Sequence, residues 1–431
     1  MKAVQIRSCL NNFFVHSLFS ALPFSSFATY TTSLPHPMQT ANSLEEIFLD
    51  GHTAIKLRGR QEYVDVTTNN PQQQGPLYNG RATTLSTDLF YHTAPIYKLF
   101  GVLDFNHVSA YFNDRFNSGQ NSTPSLYQYA EIDDPQGTAL QQAYLVYQGL
   151  PHSPLVLGRQ IIRLDNERFV GDSDFRQTPQ TFDAVTVINR SLYNVEIFYS
   201  YIDRVNSVWQ GNKAATAAIR DNNTHLVNIT SHLDPWGDIT AYAYLLHDQE
   251  IPLNSHDTIG ARYHTRIDFS EVDFLFWAEY AKQKTQHNNP VDYDTHYYHL
   301  KTQAQIAYGL DIDLGYEVFS SQAQAFQTPL ASVHVFNGLA DQFTVLPNGG
   351  LRDFYGAFSA LVWQITLEGQ YHHFTAQSSS VTYGHEWDLS LSHPLCKRYL
   401  LGLEFANFSG NANAGYSSVR KYWLTLSTQF G

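Results

Sequence analysis

The chain has 431 residues, with 26 Lys and Arg against 39 Asp and Glu for a formal charge of −13. That acidic balance excludes nucleic acid as a partner. The absence of any apolar run of about 20 residues excludes a helix-bundle transporter. Two cysteines, Cys9 and Cys396, exclude a disulfide framework, and no Cys/His spacing points to zinc or another metal. What remains is unusual for a soluble domain: aromatics reach 14% and charged residues only 15%, where roughly 25% is ordinary. Mean hydropathy is nevertheless −0.31. Strands with one face on lipid and the other on water have this composition.

In chain order, residues 1–28 carry the marks of a secretory signal. Lys2 and Arg7 form a positive start, Phe13 to Leu22 a short apolar stretch, and Ser26-Phe27-Ala28 a small-x-small cleavage site. Residues 29–52 follow as a periplasmic lead-in, and 53–431 as the barrel domain. The rival for the first segment is a buried N-terminal helix.

From residue 53 onward the apolar residues alternate with period two. In 306–319, Ile306, Tyr308, Leu310, Ile312, Leu314, Tyr316 and Val318 share one parity and Asp311, Asp313 and Glu317 the other. Ile55, Leu57 and Tyr63 oppose Lys56, Arg58, Arg60 and Glu62; Tyr422, Leu424, Leu426 and Phe430 oppose Trp423, Thr425, Ser427 and Gln429. At 100° per residue these sets would scatter around a helix. The expected strands lie near 53–65, 80–91, 96–108, 138–147, 153–162, 182–190, 193–203, 222–232, 237–246, 256–267, 270–282, 293–305, 308–319, 352–359, 361–373, 382–393, 398–408 and 417–430. Their connections alternate long and short, a parity that a soluble β-sandwich has no reason to keep. The expectation is an all-β fold: a closed antiparallel transmembrane barrel of about eighteen strands, with long extracellular loops and short periplasmic turns. The boundary near Ser359–Leu361 has almost no turn residues. The long connection at 320–351 carries Phe326, Val333, Val335, Phe336, Leu339, Phe343 and Leu346. It is too apolar for a floppy tail and is expected to form an ordered cap on the outer face.

The densest chemistry lies in 158–184. Arg159, Arg163, Arg168 and Arg176 fall there beside Asp165, Glu167, Asp172, Asp174 and Asp183, with Phe169, Val170 and Phe175 as apolar anchors. Such a loop suits folding into a lumen, where guanidinium forks pair carboxylates and still face the pore; the bland alternative is a salt-bridged strut. Lys56, Arg58 and Arg60 share the polar face of the first strand and would add a basic stripe. The candidate pore-lining, anion-binding residues are therefore Arg58, Arg60, Arg159, Arg163, Arg168 and Arg176, with Asp165, Glu167 and Asp183 as their pairing carboxylates. His296, His299, His372, His373 and His385 lack a serine hydrolase signature nearby, and Asp172 with Asp174 lacks an EF-hand pattern. No cofactor or catalytic residue is expected.

Gly158 to Gly171 and Arg176 to Ala184 together resemble the conserved block of the alginate export family of outer-membrane barrels. Further matches include Arg58-Gly59-Arg60, Gln142-Ala143-Tyr144-Leu145, Ala278-Glu279-Tyr280-Ala281, Gly315-Tyr316-Glu317-Val318, Thr328-Pro329-Leu330-Ala331 and Glu386-Trp387-Asp388. The resemblance implies an eighteen-stranded channel in the bacterial outer membrane whose arginine-lined constriction passes an anionic polysaccharide, a polyuronate, or smaller carboxylated solutes. Its partners would be that solute, outer-membrane lipid and periplasmic export proteins. The alternatives are a general diffusion porin for small solutes, or a barrel that serves as platform for an enzyme or adhesin.

Overall fold

The computed structural model describes residues 40–67, 76, 78–112, 115–119, 123–211, 218–286, 288–307, 309–396 and 398–431. The signal segment 1–28 and residues 29–39 of the lead-in lie outside them. A short helix, α1 (Leu44–Leu49), precedes eighteen strands: β1 (His52–Thr67), β2 (Gly80–His92), β3 (Leu99–Ala110), β4 (Gly137–Tyr147), β5 (Leu155–Gln160), β6 (Thr181–Asn189), β7 (Val195–Asn206), β8 (Ile219–His232), β9 (Asp238–Leu246), β10 (His256–Ile267), β11 (Val272–Thr285), β12 (Asp294–Ile306), β13 (Leu310–Phe319), β14 (Leu351–Val362), β15 (Ile365–Thr375), β16 (Thr382–Leu395), β17 (Tyr399–Gly410) and β18 (Ser418–Phe430). Each strand pairs antiparallel with its chain neighbours. β1 closes the sheet on β18 from Ile55↔Phe430 to Thr67↔Ser418. Closure leaves no unpaired edge, the condition for β-structure in lipid.

The pleat sorts the side chains as the alternation predicts. On β13, Ile312, Leu314 and Tyr316 stand exposed on the outer wall while Asp313 and Glu317 are buried inside. On β1, Ile55 is outside and Arg60, Glu62 and Val64 are inside. Bulges reset this parity within β4, where Gln141 is extra opposite Asp104/Phe105, and within β7, where Asp203 is extra opposite Asp183/Ala184.

The β14–β15 turn falls later than the sequence implies. β14 continues to Val362, which pairs Ile365 across a two-residue turn of Trp363 and Gln364, with φ 49° and 69°. Two positive φ values are what a tight hairpin needs, and Asn-Gly is their usual sequence. Trp363 and Gln364 carry no such signal, so the apolar run from Leu361 to Tyr371 reads as one strand although it spans the turn.

Among the described residues, at least two long connections fold inward, and the β3–β4 connection reaches one of them where Asp134 accepts from Gln177 N–H at 2.7 Å. L3 (161–180) joins β5 to β6, and L7 (320–350) joins β13 to β14. L7 is ordered, with a two-rung hairpin at 321–325 and a helical turn at 333–335, but it is not the outer cap its composition suggests. Phe326 packs against Tyr297 and Phe319, and Phe343 against Phe374 and Phe408, all on lumen-facing parity. The lumen is where those rings escape water; fully burying one stabilises by about 1.5–3 kcal/mol.

Candidate functional site

L3 is a compact knot with backbone bonds of its own, Leu164 N–H to Val170 O at 3.0 Å and Arg176 N–H to Ser173 O at 2.9 Å. Asp165, Glu167 and Ser173 take positive φ of 54°, 65° and 53°, an arrangement that only over-determined surroundings hold. The surroundings are the wall and L7. Phe169 lies among Tyr242, Tyr297 and Phe326 at ring separations of 5.5, 5.2 and 5.7 Å. L3 therefore reaches across from its own strands to β9 and β12.

On the other side, β1 grips the L3 backbone. Arg58 donates to Asp174 O at 2.7 Å and Gln177 Oε1 at 2.9 Å, and also to Arg176 O. Arg60 donates to Phe175 O at 2.6 Å, lies 4.2 Å over the Phe175 ring and is 3.6 Å from Asp134. Gln177 completes the attachment through Thr84 at 2.7 Å. Its carbonyl accepts from Ser86 and Asn106, each at 3.1 Å.

The arginines of L3 differ in their fates. Arg168 is buried, forked onto Glu317 of β13 at 2.9 and 3.2 Å and onto Asn337 of L7 at 2.5 Å, between the rings of Phe319 and Phe336. Arg176 meets Asp341 of L7 at 3.0 Å, and Lys421 of β18 shares that carboxylate at 2.6 Å. Arg163 meets Asp172 at 2.5 Å, Asp174 at 3.3 Å and Glu167 at 3.7 Å. Its side chain is 19% exposed, and its Nε has no hydrogen-bond partner among the described residues. Burial and the neighbouring Asp172 push the Glu167 carboxyl up to about 7. Asp165 turns away from these arginines to Asn228 at 2.8 Å and Arg262 at 3.6 Å.

Asp183 pairs with an arginine, Arg159, as expected, but Arg159 is a correction to the expected pore lining. The two face each other across β5 and β6 and form a fork of 2.7 and 3.0 Å. Arg159 has the parity of Leu157, which is exposed on the outer wall, while Val156 and Gln160 of the opposite parity are buried. The pair therefore sits on the outside of the barrel. Leu155, Leu157 and Arg159 share one parity of the strand expected at 153–162, a signal overshadowed by grouping Arg159 with the charged residues of the following loop.

Sequence reasoning also missed Arg262 on β10. It faces the lumen, 3.4 Å from Asn166 of L3 and 4.0 Å from Glu279. Its place on the polar parity of a strand expected at 256–267 would have revealed it. Glu386 and Asp388 of β16 accept from the L7 amides of Ala340 at 2.6 Å and Leu339 at 3.4 Å. Gly338 makes this approach possible: φ is 85°, and a Cβ there would collide with the Glu386 carboxyl. The histidines are mostly wall partners, His372 Nδ1 on Asp353 at 2.9 Å and His299 Nε2 on the Tyr355 hydroxyl at 2.9 Å.

A closed eighteen-stranded barrel with two long loops drawn into its lumen defines a porin-like channel of the bacterial outer membrane. The family model described as alginate export matches residues 69–327, and the chain belongs to that family. No curated protein matches it. Among solved structures, Pseudomonas aeruginosa OccK9 (OpdG) is similar at TM-score 0.67 and 13% identity, over 89% of this chain and 99% of that one. P. aeruginosa OpdK with vanillate is similar at 0.66 and 13%, over 89% and 99%. Acinetobacter baumannii OccAB2 is similar at 0.66 and 12%, over 89% and 99%. The likeness is one of fold.

Proposed function

We propose that the barrel passes small carboxylated solutes, and that polyuronate chains are too bulky for it. The observation that carries this reading is the tie between L3 and L7. Gly171 N–H donates to Leu330 O at 2.8 Å, Ser332 N–H to Glu167 O at 3.1 Å, and Arg168 bridges Glu317 and Asn337. Together the loops reach β1, β9, β12, β13, β16 and β18, so they partition the lumen from several sides. A folded polymer conduit would need that partition to leave.

Arg163 is the group placed to act on a solute. Its guanidinium is charged at any working pH, and a narrow lumen with low-dielectric walls focuses its field. Three carboxylates already surround it, which keeps any solute carboxylate weakly held and free to leave, as conduction requires. Arg58, half-turned toward L3 carbonyls, and Arg262, beside Asn166, extend the basic lining on either side. The same crowd of carboxylates supports a second reading, a weakly selective porin sorting solutes by size. The vanillate bound to OpdK is a small carboxylate, which agrees with the first reading.

Liposomes bearing the purified barrel test both. Small carboxylates are expected to enter faster than neutral solutes of equal size, with oligouronates excluded. Equal entry of charged and neutral solutes would favour the size-sorting porin. Ready entry of long oligouronates would overturn the proposal.

A further inference from the structure

We propose that α1 is an interfacial anchor, lying in the phospholipid interface at the short-turn end of the barrel. Ser43 caps α1 by accepting from Glu46 N–H at 3.2 Å, while Glu46 reaches back to Asn42 N–H at 2.6 Å. So short a helix needs tertiary support. That support comes from the β2–β3 turn: Ala94 N–H donates to Ile47 O and Ala41 N–H to Pro95 O, both at 2.9 Å.

A third bond fixes where the helix lies. The Tyr91 hydroxyl donates to Phe48 O at 2.9 Å. Tyr91 pairs with Thr53, one pleat repeat from the exposed Leu89 and Ile55, so it belongs to the lipid-facing parity. Gly51 follows α1 and lies so close to the Tyr91 ring that a Cβ would collide with it. The helix is thus tied to the outer, lipid-facing side of the wall at its short-turn rim.

In that position Leu44, Phe48 and Leu49 are 65–77% exposed. Leu44 and Phe48 lie one above the other at i, i+4 spacing. The rim around them is similar. Tyr97, Tyr193, Trp236, Phe269 and Trp363 project from five separate short turns and are all mostly exposed. Tyr97 is followed by the exposed Lys98. Tyr and Trp rings with a polar edge, as all of these but Phe269 are, joined by a cation, are what a headgroup layer accommodates, and an apolar helix face beside them lies where the acyl boundary begins. The apolar surface of α1 is continuous with the lipid-facing belt through Tyr91 and Leu89. This continuity is why lipid, and not a periplasmic protein, is the chosen occupant.

The test places an environment-sensitive fluorophore at Phe48→Cys in the full-length barrel, with Cys9→Ser and Cys396→Ser removing the other thiols. The barrel is reconstituted in phosphatidylcholine bilayers with or without lipid carrying a nitroxide near the headgroup. The nitroxide lipid is expected to quench position 48 at least about twofold more than aqueous iodide does, and position 45, from Glu45→Cys, less than position 48. Leu44→Cys serves if Phe48→Cys fails to assemble. Free access of iodide with no lipid quenching would overturn the proposal. So would protection from both quenchers, since that would mean a protein covers the helix.

Discussion

The two inserted loops are held by opposite chemistries. L3 is gripped by wall cations that read its carbonyl oxygens: Arg58 and Arg60 of β1 bind the backbone of Asp174, Phe175 and Arg176. L7 is gripped by wall anions that read its donors: Glu386 and Asp388 accept from its amides, and Glu317 and Asp353 from Asn337 Nδ2 at 2.7 and 3.0 Å. L7 adds a packed apolar side, with Leu339, Phe343 and Leu346 buried, whereas L3 keeps Arg163, Glu167 and Asp174 partly exposed. On the proposed function, L7 is the support and L3 the working surface. Fixed donors and acceptors on rigid strands let a loop full of charge hold one shape without spending all its charges on itself.

Arg168 joins the two systems, so its loss has the largest expected effect. Arg168→Leu leaves Glu317 and Asn337 buried without their cation. Breaking a buried pair from one side costs about 3–5 kcal/mol. The variant is expected to unfold at lower temperature in detergent and to show larger, noisier conductance in planar bilayers. Adding Glu317→Leu removes the stranded charge and should recover much of the stability while conductance stays noisy. If Arg168→Leu is as stable and as quiet as the parent, the loops do not depend on each other.

The next effect is one of selectivity and separates working surface from support. Arg163→Glu reverses the one partly exposed guanidinium at the heart of L3. Reversal potentials at low salt are expected to move toward cation preference, and raising the salt should shrink the difference as screening grows. Lys421→Met, which removes a support contact to Asp341, should change selectivity less. Equal shifts for the two would place the selective field outside L3.

A smaller effect follows from Glu167, whose carboxyl is pushed up to about 7 by burial and by Asp172. Above that pH it is charged and offsets Arg163; below it the carboxyl is neutral and the local charge becomes more positive. Anion preference is thus expected to rise as pH falls from about 8 to about 6. Glu167→Gln should hold the higher preference across the range. A parent barrel with no pH dependence in that window would remove Glu167 from the working surface.

The barrel wall was legible because its signal is local: Ile312, Leu314 and Tyr316 against Asp313 and Glu317 report two faces whatever lies elsewhere. Most strand ends fall within three residues of those expected. The Trp363-Gln364 turn was not legible, because its positive φ angles are imposed by pairing of β14 with β15 and are not encoded in turn residues. The charged block 158–184 announced a lumen loop, but not which wall each arginine would meet. Arg58 and Arg60 were found on the lumen face, yet their partners are carbonyl oxygens, which no sequence pattern displays. L7 was recognisably ordered from its apolar content, while its direction depended on Tyr297, Phe374 and Phe408, which lie outside the loop in sequence and are gathered only by closure.

The smallest expected effect tests the division between the two sides of the wall. Arg159 resembles Arg163 in type, in exposure and in pairing with carboxylates, and it lies four residues away. Parity alone separates them: Arg159 follows Leu157 on the outer wall, whereas Arg163 lies in the inserted loop. Arg159→Gln weakens a partly exposed pair, a change of about 1 kcal/mol or less, and touches no charge in the lumen. It is expected to leave conductance, anion preference and the salt response of the channel as they are, with a small fall in thermal stability. A selectivity shift comparable to that of Arg163→Glu would mean that Arg159 faces the pore, and that β5 turns its parity at Gly158, where φ is 124°.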